Sequence, residues 1–331
     1  MTAVTPRNIT IVLLACVSLG GCQWIQSALA PAGPHAQSVA TLTWVMVIGA
    51  GLIFLLVMTL TAIACLAGAG RARWLGRKWV IIGGGVIFPA VTLSVLLVYG
   101  LLLSRNLVMA GSPALRIEVV GEQFWWRVHY LDASGAPHLI AANEIRIPTG
   151  LPIEFVLKSN DVIHSFWVPS LAGKLDMIPG RVNEYRFAAE RPGVYRGQCA
   201  EYCGAQHALM AFYVVAMEKT EFDAWYARQS EPAPEPTIAF LASGQKVFLE
   251  NGCGACHTVR GTPANGTIGP DLSHVGGRVS LAAGTYPNNA GTLAGWISSA
   301  QHLKPGNLMP SFGNLTGEQL RATAAYLESL K

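Results

Sequence analysis

Two long apolar stretches, then a switch to alternation, then a return to helical spacing divide the chain into three parts. Val39–Leu66 and Trp79–Leu103 contain no charged residue. Each exceeds the roughly 20 apolar residues that carry a helix across a bilayer. From Leu115 the spacing changes to period two. Arg116–Val120, Phe124–Tyr130, Glu144–Ile147, Ile153–Leu157, Glu184–Phe187 and Phe212–Met217 read as short strands, with turn signals such as Ala133-Ser134-Gly135, Pro148-Thr149-Gly150 and Arg191-Pro192-Gly193 between them. Short strands separated in this way predict a β-sandwich. Glu231–Pro236 is proline-rich and reads as a semi-rigid spacer. Beyond it Ala239–Leu249 predicts an opening helix. Thr316–Leu330 predicts an amphipathic one with Thr316 as N-cap.

Charge sharpens the first part. No Asp or Glu precedes Glu118, whereas Arg71, Arg73, Arg77 and Lys78 crowd between the two spans. Such a loop stays in the cytoplasm, so a helical hairpin returns the chain to the outside. The formal charge of +4 belongs to this membrane-associated part and does not call for nucleic acid. At the N-terminus, Arg7, the apolar run Ile9–Leu19 and Gly20-Gly21 make a secretory signal. Leu19-Gly20-Gly21-Cys22 resembles a bacterial lipoprotein cleavage site, which would make Cys22 the lipidated first residue. An ordinary signal or signal anchor with an incidental Cys22 is the alternative. Cys16 falls in the removed part, and Cys65 packs in the first span.

The chemistry concentrates in Cys199-Ala-Glu-Tyr-Cys203-Gly-Ala-Gln-His207-Ala-Leu-Met210. Soft sulfur and imidazole ligands suit copper or zinc. The spacing of four also fits a buried helical stripe, and the two thiols could pair as a disulfide. A single zinc would have no use for Met210, while two bridging thiolates suit a pair of coppers. The set needs a second imidazole. His164 supplies one, placed between apolar residues in Asp161-Val-Ile-His-Ser-Phe-Trp-Val-Pro169 at a strand end.

These two motifs together resemble subunit II of haem-copper cytochrome c oxidases, from the first span to about residue 230. The resemblance implies a cupredoxin-like sandwich with a binuclear CuA centre. On it Cys199 and Cys203 bridge the coppers, and His164 and His207 each cap one. Met210 and the Glu201 carbonyl are the weak outer ligands. Lys174 and Asp176 fall in a segment that faces subunit I, and the Glu201 side chain matches a ligand of an interfacial magnesium. Phe124-Trp125-Trp126 occupies the aromatic cluster through which electrons arrive. It departs from the family pattern, which begins with Trp where Phe124 stands. A second departure is the missing carboxylate near the membrane part, which leaves proton uptake to other subunits. His129 and His138 have no partners in the pattern and read as surface residues.

Cys253-Gly-Ala-Cys256-His257 is a c-type haem attachment motif. Gly269-Pro270-Asp271-Leu272 follows, as in small cytochromes c, and then Lys304-Pro-Gly-Asn-Leu-Met309-Pro. Met309 is the expected sixth ligand, because a His/Met pair leaves no open site on the iron. His274 and His302 are its rivals.

The whole chain therefore resembles the cytochrome-c-fused subunit II of bacterial caa-type terminal oxidases. The expected organisation is a signal at 1–21, a transmembrane hairpin at 36–107, a cupredoxin domain at 112–230, a linker at 231–237 and an all-α class I cytochrome c domain at 238–331. The implied setting is the bacterial inner membrane, with both folded domains outside. The implied partners are oxidase subunits I and III and a cytochrome c or other donor. A copper-bearing nitric oxide reductase subunit and a free-standing membrane electron carrier are the alternatives.

Overall fold

The computed structural model describes residues 25–66, 70, 72–105 and 112–331. The signal region and Cys22 lie outside them. Helix α1 runs Pro34–Leu66, and α2 runs Lys78–Arg105 with one π-helical turn at Gly83–Ile87. Both are long and apolar enough to cross a membrane, and their most apolar windows bury nothing within the chain. Large side chains such as Leu52 and Phe54 point outward, as lipid-facing or partner-facing residues do. The π turn falls on the Gly83-Gly84-Gly85 run, where a wider helical turn meets no side-chain crowding.

The residues just before α1 belong to the sandwich. Ala32 N donates to Ser170 O at 2.7 Å, Glu190 N donates to Ala32 O at 2.8 Å, and Arg196 Nη1 donates to Gln26 Oε1 at 2.6 Å. A Cβ on Gly33 would lie 2.4 Å from the Ala188 carbonyl, so only glycine lets the chain turn there into α1. The hairpin thus starts two residues before its expected boundary and is tethered to the folded domain at once.

Among the described residues ten strands form the sandwich: β1 Leu115–Glu122, β2 Trp125–Leu131, β3 Pro137–Ala142, β4 Glu144–Pro148, β5 Ile153–Ser159, β6 His164–Trp167, β7 Lys174–Met177, β8 Asn183–Phe187, β9 Gly193–Cys199 and β10 Ala211–Met217. One sheet has the order β3-β2-β1-β5-β8, the other β4-β10-β9-β6-β7. β2 alternates strictly, with Trp126, Val128 and Tyr130 buried, as the two-residue side-chain period requires. Between the sheets Trp126, Phe155, Phe166, Phe187 and Phe212 make a continuous aromatic core. His129 is a correction to the sequence reading. It lies opposite Glu118 in the β1–β2 register, and its Nδ1 is 3.0 Å from that carboxylate. His138 is exposed and stacks on Tyr226.

Helix α3, Lys219–Ser230, follows β10 and buries Phe222 and Trp225 against the sandwich. Beyond the proline segment come α4 Ala239–Glu250, the short pair β11 Ser280–Leu281 and β12 Tyr286–Pro287, α5 Ala290–Leu303 and α6 Gly317–Ser329. Thr316 caps α6 in a reciprocal box with Gln319, and Asn289 caps α5 with Thr292. The helical domain rests on the sandwich. Arg146 Nη2 donates to Gly277 O at 2.7 Å, Val279 N to Glu144 at 2.6 Å and Ala211 N to Ala283 O at 2.9 Å.

Candidate functional site

The cysteine loop leaves the end of β9 and returns into β10. Phe166 pairs with Cys199 and Gln198 with Ala211, so the adjoining ends of β6, β9 and β10 are held in register. His164 opens β6 and therefore faces the loop. Cys199 Sγ lies 3.8 Å from His164 Nδ1 and 3.1 Å from Glu201 O. Cys203 Sγ lies 3.7 Å from both His207 Nδ1 and Met210 Sδ. The donor atoms of His164, Cys199 and Cys203 all fall within 4.8 Å of one another.

Both thiols are free and buried, and His207–Leu209 is only a single 3-10 turn. The helical stripe and the disulfide are thereby set aside. Buried sulfur and nitrogen donors converging from separate elements fit a soft metal.

Neighbouring residues hold these ligands in place. His164 Nε2 lies 2.7 Å from Asp161 Oδ1, which turns Nδ1 toward the sulfurs. A Cβ on Gly121 would lie 2.7 Å from the His164 ring. Gln123 Nε2 donates to Cys203 O at 2.6 Å. Burial disfavours a charge on His164, but Cys199 and Asp161 outweigh it and raise its pKa. The Cys203 thiol donates toward Cys199 and so lowers the Cys199 pKa, aided by His164 and against burial. Cys203 is pushed up by that same bond and by burial. One negative charge is thus accommodated easily and a second needs a cation.

A second site opens in the helical domain. Cys253, Cys256, His257 and Met309 line a cavity of about 240 Å³ whose walls include Phe248, Leu281, Leu293, Ile297 and Leu327. His257 Nδ1 donates to Pro270 O at 2.8 Å, leaving Nε2 free for a metal. Burial lowers the His257 pKa and keeps the ring neutral. A Cβ on Gly269 would lie 2.6 Å from the His257 ring, so glycine makes room for it. Met309 is clamped by its own loop: its N donates to Asn307 Oδ1 at 2.8 Å, and its O accepts from Gln301 Nε2 at 2.7 Å. Neither rival histidine lines the cavity. His274 is buried beside Arg260, and His302 is exposed. An apolar cleft with two thiols and an imidazole on its wall fits a covalent haem.

The aromatic run divides its tasks. Phe124 and Trp125 line this same cavity from the sandwich side. Trp126 turns inward, its ring centroid 6.1 Å from that of His164. Phe124 is only 7% exposed. Its ring lies 3.2 Å from a Cβ built on Gly204 of the cysteine loop and 3.9 Å from one built on Gly306 of the Met309 loop. Lys174 and Asp176 sit on β7; Lys174 Nζ lies 3.6 Å from Glu201 on the exposed side of the cysteine loop, whereas Asp176 lies opposite Ser165 of β6 and its carbonyl accepts from Asn183. The sequence reading passed over Asp161, Gly121, Gln123 and Lys304. Of these, only Asp161 carried a local signal, its i,i+3 spacing to His164.

Residues 130–217 match the periplasmic domain of cytochrome c oxidase subunit II, and residues 241–331 match cytochrome c. The chain joins a domain of the oxidase subunit II family to a cytochrome c. Cytochrome c oxidase subunit 2 of Alkalihalophilus pseudofirmus is 42% identical over 221 residues, 67% of this chain and 63% of that protein. Its counterpart in Bacillus subtilis is 30% identical over 231 residues, 67% of this chain and 64% of that one. The matched stretches thus span less than two thirds of these relatives. Among solved structures, the periplasmic domain of oxidase subunit II from Bradyrhizobium japonicum is 31% identical, covers 36% of this chain and 95% of its own, and superposes with a TM-score of 0.33. The sulfur-rich cluster lies within the matched subunit II domain, and the cysteines, His257 and Met309 of the apolar cavity lie in the cytochrome c domain. CuA copper and haem c are the groups that fit them.

Proposed function

We propose that this chain is the electron-delivering subunit of a bacterial cytochrome c oxidase, anchored by α1 and α2 with both folded domains outside the membrane. Electrons from a cytochrome c or another donor would reach the cytochrome c domain, cross to the copper centre and continue to oxygen chemistry in subunit I. The observation that carries this reading is the shared wall: Phe124 and Trp125 of the subunit II domain close the haem cavity of the cytochrome c domain. When bound, the haem and the copper pair carry one electron at a time, the donor losing what the acceptor gains.

Cys253 and Cys256 would tether the haem, with His257 and Met309 as its axial ligands. Cys199 and Cys203 would bridge the coppers, His164 and His207 would each hold one, and Met210 and the Glu201 carbonyl would complete the set. Lys174, Asp176 and the Glu201 side chain would face subunit I, the last with a magnesium ion. Subunit III is a further expected partner, and Cys22 the expected site of a lipid. The domain limits would be those of the expected division, with the hairpin taken from Pro34. Co-purification with a catalytic subunit that reduces oxygen supports this assignment. A partner that reduces nitric oxide, or none, overturns it.

The buried Phe124 accounts for its departure from Trp. An aromatic patch covered by the chain's own cytochrome c domain has no external docking to serve, and the Phe124 ring packs between the cysteine loop at Gly204 and the Met309 loop at Gly306, where a larger ring would press on both domains. Phe124→Trp should therefore slow haem-to-copper transfer, measured by rapid-mixing spectroscopy, by roughly tenfold through displacement of the packed domains. A large gain in oxidation of added soluble cytochrome c would instead show that electrons still arrive at that position. Met309→Ala should convert the haem from low to high spin and let it bind external ligands. An unchanged low-spin spectrum would assign the sixth position to another residue.

A further inference from the structure

Lys304 is only 2% exposed, an unusual place for a lysine. Its Nζ donates to three main-chain carbonyls: Phe124 O at 2.8 Å, Leu209 O at 2.9 Å and Ala282 O at 3.1 Å. Three acceptors match the three N–H bonds of an ammonium group. Burial pulls its pKa down to about 7, against the opposing pull of nearby Cys203. Two of the three carbonyls belong to the subunit II domain. A leucine would fill the same space without that desolvation cost, so packing does not explain the residue.

The Ala282 carbonyl is itself presented at a conformational cost. Ala282, Ala283 and Gly284 take φ of 52°, 59° and 73°, three consecutive residues in the left-handed region. Alanine is uncommon there, and such strain persists where surrounding contacts demand it. Here the demand is visible. Ala283 O accepts from Ala211 N at 2.9 Å, and Thr285 Oγ1 donates to Leu209 O at 3.3 Å. The main chain is therefore gripped on both sides of Met210, at the carbonyl of Leu209 and at the amide of Ala211, by groups from the cytochrome c domain.

We propose that Lys304 is a positioning residue that docks the cytochrome c domain so as to fix Met210 from both flanking peptides, coupling docking to the weak ligand of the copper centre. This rests on the copper assignment made above. Docking then does two things: it brings the haem cavity against Phe124, and it sets how closely Met210 approaches the coppers.

The test uses the assembled oxidase carrying Lys304→Met. Hydrogen exchange of the peptide containing Ala211 should accelerate roughly tenfold or more, because a buried charge-assisted contact is lost. The copper paramagnetic resonance spectrum should shift its hyperfine pattern, while the haem keeps its low-spin spectrum. Haem-to-copper transfer should slow roughly tenfold, with reduction of the haem by external donor unchanged. Lys304→Gln keeps two N–H donors and should give intermediate values, and it serves where Lys304→Met does not assemble. Unchanged exchange overturns the proposal. Faster exchange with an unaltered copper spectrum also overturns it, because docking would then not reach Met210. A wild-type complex that never passes electrons from haem to copper overturns the functional reading instead, and leaves the exchange and spectral outcomes to be judged separately.

Discussion

Replacing Cys203 by serine should drop bound copper below two ions per chain and abolish the resonance pattern of an electron shared over two equivalent nuclei. Cys203 lies 3.7 Å from both His207 Nδ1 and Met210 Sδ, so its sulfur is the junction of that half of the cluster. A hydroxyl is a hard, weakly acidic donor and a poor substitute for a thiolate toward copper. Losing even an outer-shell partner typically costs 10- to 100-fold in metal affinity, and a bridging ligand should cost more than about 100-fold. Cys199→Ser should fail in the same way, through the half that holds His164 at 3.8 Å. Oxidation of the donor should fall in parallel, while the haem spectrum stays normal because its proposed ligands lie in the other domain. Metal analysis and low-temperature resonance on the purified complex decide the matter. Two coppers retained with the shared-electron pattern intact would remove these cysteines from the bridging role.

The proposed copper ligands stood out in the sequence because five of them sit within one loop, and because His164 is set among apolar neighbours. The haem motif was legible for the same reason of locality. What escaped depends on register or docking. The partner of His129 is Glu118, which faces it only once β1 and β2 pair in their observed register. Strands β6 and β7 are four residues each, too short for alternation to declare itself. β9 carries Gly193 and Gly197, which depress strand propensity; Gly197 is there because a Cβ would lie 2.2 Å from the Phe212 ring. Helix α5 had its Asn289–Thr292 capping signal in plain view, but glycines and serines within it blurred the apolar stripe. Lys304 was quoted within the Met309 segment without a task, since its acceptors are carbonyls that only the docked domains bring together. Such contacts are main-chain on the receiving side and leave no trace in side-chain identity.

Gly244→Ala should destabilise the cytochrome c domain more than its small size implies. Gly244 is buried where α4 crosses α6, and a Cβ there would lie 2.1 Å from the Ala322 carbonyl oxygen and 2.9 Å from Tyr326 Cβ. The first obstacle is backbone, so no rotamer change relieves it and the helices must separate. That separation loosens Phe248 and Tyr326, whose rings meet edge to face at 6.1 Å beside the haem cavity. Overpacking of this kind costs about 1–3 kcal/mol. Alanine returns up to about 1 kcal/mol through helix propensity, so the net loss should be near 2 kcal/mol when the crossing is strained at the upper end. For a domain of roughly 100 residues this lowers the melting temperature by about 8–16 °C. Thermal loss of the low-spin haem spectrum reads it out. The sandwich lacks this crossing, so bound copper should be retained to the wild-type temperature, while its spectrum shifts as the melting haem domain releases the peptides beside Met210. An unshifted haem transition would mean that α4 and α6 have room to spare, and that the close approach at Gly244 is not what sets their packing.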